Sequence, residues 1–132
     1  FYFGDDKKIK IDGGTNLGKL KKDELAKLYS ECDFGMVFSY TNISLVPYEM
    51  MAAGLPLVEL KEGTFTEFMP ENAAVLYDGA CEKLYEELKK RIFDEEYFEE
   101  TDRRNKRLLR ERNWEKATED MIAVLNGVEN GD

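Results

Sequence analysis

Two strand-length apolar runs enclose a segment that starts with proline and stops at glycine, and this arrangement constrains the fold more than any other feature. The runs are Phe34-Gly35-Met36-Val37-Phe38-Ser39 and Pro56-Leu57-Val58-Glu59-Leu60. The first run does not alternate between polar and apolar residues, which is typical of a parallel strand covered on both faces. Between the runs, Pro47 suits a first helical position and Gly54 suits a helix end. The pattern predicts a strand–helix–strand unit.

A stretch whose apolar residues recur at helical spacing precedes this unit. Leu25, Leu28, Tyr29 and Cys32 recur at helical intervals behind Asp23, which is the predicted N-cap. Upstream, the alternating residues 9–11 predict a short strand between polar turns.

After the unit, a polar loop leads to a strand predicted over 73–77, and the rest of the chain has a helical pattern. One helix is predicted from Ala80 to Ile92, a second from Phe98, and a third from the N-cap Asn113 to Gly127. The order of elements predicts an α/β fold, specifically a Rossmann-like open parallel sheet with flanking helices.

The 132 residues amount to one domain, predicted over 1–127, with a frayed tail over 128–132. The opening Phe1-Tyr2-Phe3-Gly4 resembles the end of a strand that has no element before it. We therefore expect the chain to be a fragment of a larger protein that lacks its first strand–helix unit.

The charge balance excludes some partners. The chain has 28 acidic and 19 basic side chains and a net charge of −9, which argues against binding to nucleic acid or to anionic membranes. No apolar run is long enough for an integral membrane segment. The two cysteines, Cys32 and Cys81, lie in helical patterns and are expected to be reduced thiols of a cytoplasmic protein. Histidine is absent, which excludes zinc–histidine sites and Ser–His–Asp catalysis.

The loop between the first apolar run and the Pro47 helix is the predicted ligand site. In open α/β sheets, ligands bind beyond the carboxyl ends of the strands. The helix start offers free N–H groups to a diphosphate, and Thr41, Asn42 and Ser44 can add side-chain hydrogen bonds.

Glu49 in the first helical turn has two interpretations. It can be a residue favoured there by the helix dipole or by capping, or it can accept hydrogen bonds from sugar hydroxyls. A capping box requires Ser or Thr three residues earlier, where the chain has Val46, so the box is imperfect. This favours the ligand role without excluding the other.

Several stretches resemble the C-terminal domains of GT-B glycosyltransferases, over roughly residues 15 to 125. The most specific is Ser44-x-x-Pro47-x-Glu49-Met50-Met51-Ala52-x-Gly54-Leu55-Pro56-x-Val58, and Leu17-Gly18-Lys19-Leu20 and Cys32-Asp33-Phe34-Gly35-Met36 follow the same order. The chain looks most similar to the bacterial rhamnosyltransferase-type branch of the family-4-like enzymes.

The resemblance implies roles for individual residues. Glu49 matches the family glutamate that hydrogen-bonds the donor ribose. Ser44, Leu45 and Val46 match the turn whose backbone amides hold the donor diphosphate. Gly18, Lys19 and Leu20 match the segment near the nucleobase.

The implied reaction is glycosyl transfer from a nucleoside diphosphate sugar to a hydroxyl acceptor, such as that of a bacterial surface polysaccharide. The sugar nucleotide is a substrate, and no cofactor or metal is implied. The acceptor site and any catalytic base are expected on a missing N-terminal domain, so this chain carries no catalytic residue and is inactive alone. Many relatives have a second glutamate eight residues before the first, where this chain has Thr41.

Two other functions remain open at this point. The domain can be a non-catalytic nucleotide-binding module, or an interaction module of flavodoxin-like shape in which the Ser–Pro–Glu loop only caps a helix.

Overall fold

An open sheet of three parallel strands forms the centre of the computed structural model, which describes residues 1–4 and 9–129. The strands are β1 (Gly35–Met36), β2 (Leu57–Leu60) and β3 (Ala74–Tyr77), in the spatial order β1-β2-β3. Gly35 is in register with Leu57, and Leu57 with Ala74. The prediction of a Rossmann-like α/β fold with an open parallel sheet and flanking helices is confirmed.

Six α-helices and one short 3-10 helix surround or follow the sheet in the described part of the chain. They are α1 (Lys22–Glu31), α2 (Val46–Ala52), α3 (Phe65–Phe68), the 3-10 helix (Glu71–Ala73), α4 (Cys81–Arg91), α5 (Glu95–Glu111) and α6 (Trp114–Glu129). None of the helices in the described ranges is long and apolar enough to cross a membrane.

The core lies around the middle strand. Leu57 and Val58 of β2 are completely buried, as are Met51 of α2 and Phe65 of α3. A strand covered by other elements on both faces gains from apolar residues at successive positions, which explains why the run at 56–60 shows little alternation.

Proline and glycine set the limits of α2. Pro47 lies in its first turn, where a missing N–H group costs no helical hydrogen bond. At the other end, Gly54 has a φ of 79°, and the Leu55 N–H donates to the Met50 carbonyl at 3.0 Å. The backbone reverses there and enters β2, so the predicted strand–helix–strand unit is confirmed.

Two predicted strands differ from the structure. The run at 34–39 is a strand only at Gly35–Met36, because after the bond from Val37 N–H to the Val58 carbonyl, at 3.0 Å, the chain leaves the sheet. Residues 9–11 do not form a strand, because side chains hold this segment in place of a strand partner. The Tyr2 hydroxyl donates to the Ile9 carbonyl at 2.8 Å and accepts from the Ile11 N–H at 3.0 Å.

Helix starts follow the capping chemistry more closely than the apolar spacing. The N-cap of α1 is Lys21 rather than Asp23, and the Lys21 N–H donates to the Glu24 carboxylate at 2.7 Å. α5 begins at Glu95, before the predicted Phe98, because the Asp94 carboxylate caps it by accepting from the Tyr97 N–H at 3.0 Å.

The third C-terminal helix is confirmed at its start and wrong at its end. The Asn113 side chain accepts from the Lys116 N–H at 2.8 Å, as the predicted N-cap of α6. The helix then continues through Gly127 to Glu129, since a single exposed glycine lowers helix stability without ending the helix. Residues 130–132 of the predicted tail lie outside the described residues, as do residues 5–8.

We expect Gly54→Ala to lower the free energy of unfolding by about 1–3 kcal/mol, because Ala resists positive φ and its Cβ would also press on α5. A Cβ at this position would lie 3.0 Å from the Asp102 carboxylate. Gly79→Ala is the matched control, because Gly79 has a φ of 95° and nothing within 4 Å of an added Cβ. Urea unfolding should show the smaller loss for Gly79→Ala, and equal losses would contradict the role of the α5 contact.

Candidate functional site

A short loop, residues 40–45, follows the segment 37–39 that leaves β1 and leads into α2. Thr41, Asn42, Ser44 and Leu45 are exposed, and Ile43 is half-buried against the core. Within the described residues, the backbone N–H groups of Thr41 to Leu45 donate to no acceptor. The loop therefore presents consecutive amides that are free to bind an anion.

A buried carboxylate holds the start of this loop. Glu59 lies in β2 with no exposed surface, and its side chain reaches Ser39. It accepts from the Ser39 hydroxyl at 2.7 Å, from the Ser39 N–H at 3.0 Å and from the Leu60 N–H at 3.2 Å. A carboxylate removed from water needs such donors, because burial without them is very costly.

Ser39 is also held from the opposite side. Its carbonyl accepts from the Thr64 N–H at 2.8 Å and from the Thr64 hydroxyl at 3.1 Å. Gly63 packs directly on the same carbonyl, and a Cβ there would lie 2.4 Å from the oxygen. The loop therefore begins at a residue whose N–H, hydroxyl and carbonyl are all bonded to neighbouring segments.

Sequence reasoning did not single out Glu59 or Ser39 as residues that support the site. The available signal was a single charged residue inside the apolar run at 56–60. A charge at a position that the pattern buries indicates a specific hydrogen-bonding partner. The identity of the partner could not be read, because Ser39 lies 20 positions away.

Glu49 lines a cavity of about 380 Å³ between α1 and α2. Its side chain is exposed, and the other residues of the cavity are Lys22, Leu25, Ala26, Tyr29, Ala52 and Ala53. Within the described residues, neither Glu49 nor Lys22 makes an ion pair or a side-chain hydrogen bond. The cavity thus combines one carboxylate, one ammonium group and an apolar lining, a composition suited to a small polar ligand with an apolar face.

Tyr29 forms part of this cavity from the core side. The residue is only 4% exposed, and its hydroxyl has no hydrogen-bonding partner in the described chain. Burial raises the pKa of the Tyr29 hydroxyl above its ordinary value, and the negative charge of Glu49 raises it further. The group therefore stays protonated at neutral pH and can act as a donor.

A second, larger cleft of about 840 Å³ lies on another side of the loop. Ser44, Leu45 and Tyr48 line it together with residues of α6 such as Trp114 and Lys116. Its basic groups are already engaged, because Arg112 donates to the Phe68 carbonyl and Lys116 pairs with Asp120 at 2.9 Å. The two cavities share no lining residue.

The predicted site residues therefore fall into separate places. Ser44 and Leu45 line the larger cleft, whereas Glu49 lines the smaller cavity. Thr41 and Asn42 border neither; their side chains lie 3.3 Å apart at the surface. Because the side chain of Val46 packs on the core, only its backbone faces the loop, and its N–H donates to the Ser44 hydroxyl at 3.3 Å.

The segment Gly18–Lys19–Leu20 precedes α1 in the chain, and none of its three residues lines the smaller cavity. Gly18 is buried, with its N–H bound to the Asn16 side chain at 2.8 Å and its carbonyl to the Gly4 N–H at 2.9 Å. Lys19 is exposed and Leu20 half-buried. The segment leads into α1, which contributes Lys22 to the cavity.

The helix dipole contributes less here than the sequence suggests. α2 has seven residues, so few peptide units add to its dipole, and the Ser44 hydroxyl already accepts one of its first N–H groups. An anion bound here would therefore depend more on the unbonded amides of the loop than on the dipole of α2.

The fold defines the class of the chain as a Rossmann-like α/β domain with an open three-stranded parallel sheet. Over 45 residues the chain is 47% identical to the O-antigen biosynthesis protein RfbC of Myxococcus xanthus. This stretch covers 33% of the chain and 4% of the length of that relative. No protein-family model matches the chain.

We expect Ser39→Ala to lower the free energy of unfolding by about 1–3 kcal/mol, because it removes a donor from the buried Glu59 carboxylate. Ser30→Ala is the control, since the Ser30 hydroxyl is exposed on α1 and donates only to the Lys27 carbonyl. Its effect should stay within about 0.5 kcal/mol. Chemical unfolding measures both variants, and a neutral Ser39→Ala would show that the bond adds nothing to stability.

Proposed function

We propose that this chain is the donor-binding half of a GT-B glycosyltransferase that acts in polysaccharide biosynthesis. It binds a nucleoside diphosphate sugar, and the complete protein transfers the glycosyl group to a hydroxyl acceptor. The observation that carries the proposal is the position of Glu49, whose exposed carboxylate lines a cavity one helical turn after a loop of free amides. The similarity to a protein named for O-antigen biosynthesis supports the polysaccharide context.

The pentose of the donor occupies the Glu49 cavity in this proposal. Its hydroxyl groups donate to the carboxylate, which has no other partner among the described residues. The apolar lining from Leu25, Ala52 and Ala53 suits the carbon face of a sugar ring. The base lies toward the Gly18–Lys19–Leu20 segment, which is continuous with α1.

The diphosphate lies over the loop between the two cavities. The amides of Thr41 to Leu45 donate to its oxygens, and backbone donors need no rearrangement when negative charge develops on the leaving group. The hydrogen bonds of Ser39 to Glu59 and Thr64 keep the beginning of the loop in place. The acceptor and any base that activates it belong to another domain of the complete protein.

We expect the chain to bind one nucleoside diphosphate saturably, and Glu49→Ala to weaken that binding about 10- to 100-fold, as for a lost hydrogen bond to a charged group. Isothermal titration with the diphosphates of uridine, thymidine, guanosine and adenosine measures the affinity. The melting temperature should stay nearly constant, because Glu49 is exposed.

Glu86→Ala is the matched control, since Glu86 is an exposed glutamate of α4 that lines neither cavity. Unchanged affinity in Glu49→Ala would overturn the site, and a folded chain that binds none of the diphosphates would favour an interaction module. In the complete protein, donor consumption separates a transferase from a regulatory module that only binds the nucleotide.

A further inference from the structure

The Tyr29 hydroxyl is a buried polar group that has no partner among the described residues. Only 4% of the residue is exposed, and its oxygen makes no hydrogen bond within the described residues. Folding ordinarily pairs such groups, because a buried donor that loses water without a new acceptor destabilises the protein. An unpaired hydroxyl next to a cavity indicates a partner that moves into place when a ligand binds.

The surroundings of Tyr29 restrict what that partner can be. The residues that line the cavity with it are one carboxylate, one ammonium group and apolar side chains. The only side chain among them that accepts a hydrogen bond is therefore Glu49. Tyr29 belongs to α1 and Glu49 to α2, and the two residues line the same cavity between these helices.

The ring of Tyr29 is fixed, whereas the carboxylate of Glu49 is not. The ring packs in the core cluster with Met50 and against Phe3, at 5.9 Å between the ring centroids. Glu49 is exposed and bonded to no side chain in the described ranges. A carboxylate of this kind samples several rotamers, so ordering it opposes binding by its loss of side-chain entropy.

We infer that Tyr29 is a positioning residue for the donor: its hydroxyl binds one oxygen of the Glu49 carboxylate when a pentose enters the cavity. This inference rests on the proposed function and deepens it. Tyr29 fixes the orientation of the carboxylate, and the remaining lone pairs of Glu49 accept from the pentose hydroxyls. The ligand class is thus a ribose or deoxyribose with at least one free hydroxyl on the ring.

Thermal stability and nucleotide affinity should respond differently to the substitution Tyr29→Phe. Tyr29→Phe removes an unpaired hydroxyl from the free protein, so its melting temperature should be unchanged or higher. The same variant should bind the preferred nucleoside diphosphate about three- to tenfold more weakly, as expected for one lost hydrogen bond. Tyr85→Phe is the control, because Tyr85 is exposed on α4 and lines neither cavity.

A double-mutant cycle with Glu49→Ala tests whether the hydroxyl acts through the carboxylate. In the Glu49→Ala background, Tyr29→Phe should have no further effect on affinity. An equal loss in both backgrounds would show that Tyr29 acts by another route and would overturn the inference.

The remaining outcomes separate this inference from the proposed function. If Glu49→Ala weakens binding and Tyr29→Phe does not, only the role of Tyr29 is wrong. If the unsubstituted chain binds none of the four diphosphates, the proposed function fails, and the role of Tyr29 fails with it.

Discussion

The hydrogen bonds between Glu59 and Ser39 join the middle of the sheet to the loop that carries the candidate site. Glu59 is in register with Leu76 of β3, while its side chain reaches the segment that leaves β1. The buried carboxylate therefore connects the middle strand to the start of the loop. Because its donors come from Ser39 and Leu60, the interaction forms only when β1 and β2 are paired in the observed register.

These hydrogen bonds explain how the loop that carries the candidate site can be held although the first strand is so short. β1 has two residues in the sheet, and a ladder of that length leaves the following backbone poorly held. The bonds at Ser39, to Glu59 on one side and to Thr64 on the other, take over where the ladder stops. The chain gains an irregular segment whose amides make no hydrogen bond within the described residues and whose starting point is nevertheless fixed.

α2 relates the two halves of the proposed donor site to each other. Its first turn follows the loop of free amides. Its outer face contributes Glu49 and Ala52 to the smaller cavity, together with Ala53, the residue that follows the helix. Its inner face is anchored by Met50 and Met51, which are buried against the sheet and α5. The Gly54 turn then directs the chain into β2. Because Glu49 directly precedes the buried Met50 and Met51, its placement depends on the core packing of these two residues.

The strand–helix–strand unit, the parallel sheet and the helical C-terminal half could be predicted from the sequence, because apolar runs, proline and glycine act over a few neighbouring residues. The same local chemistry identified Asn113 as a cap and placed Glu49 in a first helical turn. Tertiary structure decided the rest. The early end of β1, the burial of Glu59, the unpaired hydroxyl of Tyr29 and the separation of Ser44 and Glu49 into two cavities all arise between residues distant in the chain or from the way helices pack. Such contacts leave no periodic signal, since their partners are set by the fold and not by sequence spacing.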